Sequence, residues 1–172
     1  IVDGDVSAEV LSTDFESMVE EGKKLAAIHP HIVVKVPMIK DGIKAIKWFS
    51  DNGIRTNCTL VFSAGQAILA AKAGATYVSP FVGRIDDSSW DGMELIAQMS
   101  HIYTLQGFKT EILAASIRSA LHIVKAAEAG ADVAAAAWRI AFRRVAGDGL
   151  GRRAVDGTGH PHEARAAREA AR

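Results

Sequence analysis

The sequence predicts an α/β fold and, within that class, a (β/α)8 barrel rather than an open doubly wound sheet. Three observations predict it. Short apolar segments rich in β-branched residues alternate with longer segments of helical periodicity, and repeated βα units joined by short loops imply a parallel sheet. No Gly-x-Gly-x-x-Gly follows a first strand, which weakens a dinucleotide-binding sheet. Glu9, Lys35, Thr59, Arg84 and Ser116 each fall at or just beyond the C-terminal half of a successive strand. In a barrel those ends converge on one site.

Residues 6–11 form a short strand candidate. Residues 14–28 follow as a helix, with Phe15, Met18, Val19, Leu25 and Ile28 at helical spacing; Thr13 with Glu16 three residues on reads as a capping box. Residues 32–36 make a strand stopped by Pro37, and 40–50 a helix closed by Asn52-Gly53. Residues 55–61 form a strand, 63–72 a helix ended by Gly74, and 76–82 a strand that runs into a loop over 83–87. A long helix spans 91–106 and ends at Gly107. A strand over 109–114, a helix over 117–129 ended by Gly130, and the start of a strand over 131–135 complete the pattern. That is five βα units and the start of a sixth. Eight would need more residues than the chain offers, so a barrel reading implies an incomplete one, about strands 3 to 8.

Composition sets further bounds. The chain is long enough for one domain with a sizeable core. Twenty basic and twenty acidic side chains balance, so no global field points to nucleic acid or to a membrane surface. The single cysteine, Cys58, cannot form an internal disulfide, which fits a reducing, cytoplasmic setting. No apolar run approaches the ~20 residues of a membrane span. The chain opens Ile-Val-Asp-Gly, with neither a basic n-region nor an initiator methionine; this reads as a processed or partial chain without a signal peptide. Composition then breaks near residue 135. Every lysine lies at or before Lys125, whereas eight arginines and no lysine follow Trp138. Two domains of unequal character are expected: a barrel segment over 1–135, and a divergent Ala/Arg/Gly-rich tail over 136–172, frameshifted or disordered.

Lys35 stands in His-Ile-Val-Val-Lys-Val-Pro, residues 31–37. Burial of a lysine in such a strand favours the neutral amine, which is what Schiff-base chemistry on a carbonyl requires. An exposed edge-strand lysine is the plain alternative. Asn57 and Thr59 share one face of the next strand, because side chains alternate with period two; simple β-propensity also explains a threonine there. Glu9 is either a barrel-interior carboxylate or a solvated strand end. Arg84, Ser116 and Arg118 can bind a phosphate, since guanidinium groups fork onto oxyanions and a helix N-terminus adds N–H donors. Surface charge is the competing explanation for either arginine. Only Arg55 joins them as arginines before the compositional break, which tips the pair toward function.

Five collinear segments carry a resemblance: Val-Ser-Ala-Glu-Val (6–10), Ile-Val-Val-Lys-Val-Pro (32–37), Thr-Asn-Cys-Thr-Leu-Val-Phe-Ser (56–63), Tyr-Val-Ser-Pro-Phe-Val-Gly-Arg-Ile-Asp (77–86) and Ala-Ala-Ser-Ile-Arg (114–118). Over about residues 1–134 the sequence resembles the transaldolase family, close to the short transaldolase-like proteins that include fructose-6-phosphate aldolases. The resemblance implies a TIM barrel and a class I, Schiff-base mechanism without metal or other cofactor. Lys35 matches the imine-forming lysine, Glu9 the residue that positions the catalytic water, Thr59 the threonine that holds it, and Asn57 a substrate-binding asparagine. Arg84, Ser116 and Arg118 match phosphate-binding positions. Glutamate at position 9 and phenylalanine at 81 look like transaldolases; fructose-6-phosphate aldolases typically carry glutamine and tyrosine. The implied activity is transfer of a dihydroxyacetone unit from a ketose phosphate, sedoheptulose 7-phosphate or fructose 6-phosphate, to an aldose phosphate in the pentose phosphate pathway. The alternatives are an aldolase releasing dihydroxyacetone, or an inactive barrel fragment. Sugar phosphates are the expected partners, and the family implies a homo-oligomer built through C-terminal helices.

The sequence departs from the family pattern at both ends. The family's first two strands, which carry an acid/base aspartate and a Thr-Asn-Pro motif, have no counterpart here. After Ala135 the expected apolar eighth strand and aromatic-rich helix give way to a stretch that resembles out-of-frame translation of GC-rich DNA. Weak or absent turnover is therefore expected of this chain as written.

Overall fold

A computed structural model describes residues 4–136. The elements run β1 (Val6–Glu9), α1 (Phe15–Ala26), β2 (Ile32–Pro37), α2 (Lys40–Asp51), β3 (Thr56–Val61), α3 (Ala64–Lys72), β4 (Tyr77–Pro80), α4 (Val82–Asp86), α5 (Gly92–Gln106), β5 (Glu111–Ala114), α6 (Ala120–Glu128) and β6 (Val133–Ala134). The strands are parallel and lie in the order β1-β2-β3-β4-β5-β6. A doubly wound sheet reverses its strand order at a switch point. Unbroken sequential order has no such point and is the winding of a (β/α)8 barrel, whose right-handed crossovers put the helices on one face.

The sheet curls toward the other face as a partial barrel. Asn57 on β3 donates through Nδ2 to Ser7 Oγ on β1 at 3.1 Å, although β2 lies between those strands. Side chains stand roughly perpendicular to a sheet, so second neighbours meet only where the sheet is concave. Ser79 Oγ on β4 donates to Asn57 Oδ1 at 2.7 Å and extends this polar line across the concave face.

The core lies between the sheet and its helices. Met18, Ile46, Phe49, Ile96 and Met99 are fully buried there, each contributing roughly 1.5–3 kcal/mol of burial energy. Gly22 lets α1 approach α2: a Cβ on it would sit 2.2 Å from the Phe49 ring. Among the described residues, no helix is long and apolar enough to cross a membrane.

At the N-terminal rim a second polar set closes the strand starts. Asp5 accepts from Arg55 at 2.6 Å and from the Tyr77 hydroxyl at 2.9 Å. His31 lies 3.7 Å from the same carboxylate, and Arg55 also donates to the Pro30 carbonyl. Burial and the bond to Asp5 push the Tyr77 phenol up to about 12.

Several boundaries differ from the sequence reading. The cap of α1 is Asp14, whose Oδ1 accepts from Ser17 N at 2.9 Å, rather than Thr13 with Glu16. The carboxylate supplies both an acceptor and a favourable charge to the helix dipole. Pro37 is the last residue of β2, paired with Thr59. The segment expected as a loop over 83–87 is largely the helix α4; five residues are too few to show helical periodicity. Helix α6 begins at Ala120 because Ser119 caps it, so Ile117 and Arg118 belong to the loop after β5. Apart from its first residue, the tail expected over 136–172 lies outside the described residues.

Candidate active site

The C-terminal rim of the sheet gathers the predicted residues. Glu9 closes β1 and pairs in register with Lys35, which in turn pairs with Asn57. Lys35 Nζ meets Glu9 Oε2 at 3.0 Å, with the two side chains 24% and 32% exposed. The lysine is thus half-buried and ion-paired, rather than enclosed by apolar residues as its sequence context suggested. The β-branched neighbours explain how it is displayed: Val34 and Val36 point into the helix-side core with no exposed surface, which turns Lys35 to the concave face.

Asn57 is 2% exposed, and its amide is fixed by Ser7 and Ser79. Thr59 lies two residues further along β3, opposite Pro37. It is fully buried, and its Oγ1 has no hydrogen-bond partner among the described residues. Buried hydroxyls are nearly always paired; Thr56 at the start of the same strand is a second exception. The ladder shifts register between Cys58 and Val61, and Leu60 takes φ 61. A left-handed leucine is strained, and here it joins Phe81 and Ala115 in a small apolar cluster separate from the main core.

Phe81 follows β4 and carries the Arg84 guanidinium over its ring, 5.0 Å from the centroid. Ser116 follows β5 with φ 58, a backbone that non-glycine residues hold mostly where their surroundings enforce it. Gly83 makes this loop possible. A Cβ there would lie 2.3 Å from the Ser116 carbonyl oxygen and 2.6 Å from the Arg118 Cγ. The loop after β5 therefore lies directly on α4, and Ser116 and Arg118 sit beside the helix that bears Arg84.

Two groups of residues emerge. Glu9, Lys35 and Asn57 form one row, with Thr59 just beyond it; Phe81, Arg84, Ser116 and Arg118 form the other, on the next strand ends. Sequence reasoning missed five participants. Ser7 and Ser79 hold Asn57, and each stands two residues before a singled-out residue, Glu9 or Phe81. Asp87 grips Arg118 by a two-pronged contact of 2.6 and 3.3 Å, and Asp86 faces His122 at 3.6 Å. The adjacent acids after Arg84 were the available signal for this pairing.

Comparison with known proteins identifies a family. The transaldolase/fructose-6-phosphate aldolase family matches residues 1–148. A probable transaldolase of Cytophaga hutchinsonii is 70% identical over 133 residues, which cover 77% of this chain and 61% of the relative. One from Phocaeicola vulgatus is 69% identical over 133 residues with the same coverage. Another, from Porphyromonas gingivalis, is 63% identical over 134 residues, covering 78% of this chain and 61% of the relative. The chain thus spans about three fifths of the length of these curated relatives. On the strength of these matches, the chain belongs to the transaldolase/fructose-6-phosphate aldolase family.

Proposed function

We propose that this chain carries the imine-forming and phosphate-recognising face of a transaldolase, held within the barrel segment 1–135. The observation that carries the reading is the placement of Lys35: a half-buried amine on the concave face, at the end of a central strand, 3.0 Å from a carboxylate.

In the proposed reaction the Lys35 amine, once deprotonated, attacks the C2 carbonyl of a ketose phosphate. The carbinolamine loses water to give an iminium. Loss of the C4 hydroxyl proton then breaks the C3–C4 bond. Its electron pair moves toward the iminium nitrogen, leaving an enamine on Lys35 and releasing an aldose phosphate. The reverse addition to a second aldose phosphate completes the transfer, and hydrolysis of the new iminium frees Lys35. Glu9 would exchange protons with the amine and, with the Thr59 hydroxyl, hold a water for these steps. Asn57, its amide bonded to Ser7 and Ser79, would back the substrate-facing row beside Lys35. Arg84, Ser116 and Arg118 would take the phosphate.

Transfer is favoured over release of free dihydroxyacetone because Phe81 offers an apolar ring packed with Leu60 and Ala115, without a hydroxyl that could protonate the enamine. The single buried cysteine fits a cytoplasmic setting. Borohydride reduction in the presence of fructose 6-phosphate tests the reading. One covalent adduct on Lys35 in the wild type, absent from Lys35→Ala, supports it; an unlabelled wild type sinks it. Release of free dihydroxyacetone without an acceptor would instead favour the aldolase reading.

A further inference from the structure

His122 occupies the first turn of α6, three residues after the cap Ser119. Its backbone N–H donates to Ser119 Oγ at 3.2 Å. In an ordinary capping box the side chain at this position returns to the N–H of the cap residue. Here it reaches one residue further back: His122 Nδ1 accepts the backbone N–H of Arg118 at 3.4 Å. That contact leaves Nδ1 without a hydrogen, and the network assigns the ring proton to Nε2. Nε2 faces Asp86 Oδ2 at 3.6 Å, and Asp86 Oδ1 accepts the Gly92 N–H at 2.9 Å. The imidazole, 22% exposed, therefore links the backbone of Arg118 to the end of α4 and the start of α5.

The remaining ties on this loop act elsewhere. Asp87 grips the Arg118 guanidinium, and this pair is more than half exposed. Gly83 receives the Ser116 carbonyl and the Arg118 stem. Neither fixes the peptide N–H of Arg118, two residues after the left-handed Ser116. A long side chain places its guanidinium only as well as its backbone is placed.

We propose that His122 is a positioning residue for phosphate recognition: by holding the Arg118 backbone, it sets where that guanidinium meets the phosphate of an incoming sugar. This deepens the proposed function and rests on its assignment of Arg118 to the phosphate.

The test uses the full chain and measures borohydride trapping at Lys35 by intact mass, titrating fructose 6-phosphate in one series and dihydroxyacetone, which has no phosphate, in the other. His122→Ala raises the half-saturating concentration of fructose 6-phosphate about tenfold, the effect of a displaced charge-assisted hydrogen bond. Dihydroxyacetone titrates as in the wild type. His122→Asn, whose Oδ1 stands where Nδ1 stood, restores the fructose 6-phosphate value, and it carries the test should His122→Ala fail to fold. An equal rise for both ketoses indicates a merely structural role and overturns the proposal, as does an unchanged His122→Ala or a His122→Asn that does not restore the value. A labelled wild type with an indifferent His122→Ala defeats this inference alone. A wild type labelled by neither ketose defeats the Schiff-base reading and takes this inference with it.

Discussion

Replacing Lys35 by methionine separates chemistry from stability at the centre of the site. The ammonium and the Glu9 carboxylate are 3.0 Å apart. At an effective dielectric near 20, two unit charges at that distance attract by about 5.5 kcal/mol. Water reaches both partners, since 24% and 32% of the side chains are exposed. Desolvation and lost side-chain freedom cancel most of the attraction, and solvent-accessible pairs net about 0.2–1 kcal/mol. Methionine keeps most of the aliphatic stem, and the orphaned Glu9 retains contact with water. Lys35→Met should therefore change unfolding stability by about 1 kcal/mol or less, while abolishing imine formation. Urea unfolding measures the first, and intact mass after borohydride treatment with fructose 6-phosphate measures the second. A loss of about 3–5 kcal/mol, the cost of orphaning a fully buried charge, would show that the pair is structural. An adduct surviving in Lys35→Met would place the chemistry on another lysine.

Asn57→Ala should destabilise by about 2–4 kcal/mol, because it leaves the buried Ser79 hydroxyl unpaired and removes the bond to Ser7; a urea midpoint within error of wild type would contradict this. The Cys58 thiol is fully buried, and burial pushes it up to about 12, so at pH 8 a disulfide reagent should modify it only as fast as the protein unfolds; prompt labelling of the folded chain would count against the packing. Burial pushes the Asp5 carboxyl up, but hydrogen bonds from Arg55 and Tyr77 and the charges of Arg55 and His31 outweigh it and hold the group below its ordinary range. Its stabilisation is then fully present above the unfolded carboxylate pKa of about 3.9 and lost as pH falls through the lower folded value. The stability gap between wild type and Asp5→Asn should accordingly narrow on acidification from pH 6 to pH 3 in urea titrations, and a gap that stays constant would exclude this linkage.

The winding and the first row of the site were legible because strand periodicity is strict. Once Val34 and Val36 are read as core, Lys35 must face the other way, and Glu9 and Asn57 follow from parallel register. The same period-two logic placed Thr59 but not the register shift after Cys58, since a left-handed leucine leaves no mark in composition. Helix α4 escaped notice because five residues give no periodicity. The start of α6 was set too early because the apolar Ile117 continues the helical pattern, whereas Ser119 fixes the cap. The grips of Asp87 on Arg118 and of Asp86 on His122 join segments about thirty residues apart in the chain. Such long-range pairs become visible only when the strands that carry them are laid side by side.

The same strands build two rims of different character. Asp5, His31, Arg55 and Tyr77 stand at the strand starts, and Glu9, Lys35, Thr59 and Phe81 each lie four residues further on. An even spacing keeps each pair on one face of its strand, so the contrast between the rims reflects what the side chains meet. At the starts, the Asp5 carboxylate accepts from two donors with His31 nearby, and Arg55 donates to the Pro30 carbonyl in the loop before β2. Such a network fastens the sheet and leaves little for a ligand to gain. A buried threonine hydroxyl without a partner among the described residues occurs at both rims, Thr56 at the start of β3 and Thr59 near its end, but at the ends two non-glycine residues, Leu60 and Ser116, hold left-handed backbone. Backbone held under strain lowers stability, and a fold retains it mostly where binding or chemistry uses it. The strained backbone at the C-terminal ends of the strands is therefore in keeping with the proposed chemistry lying there, where a barrel carries its site.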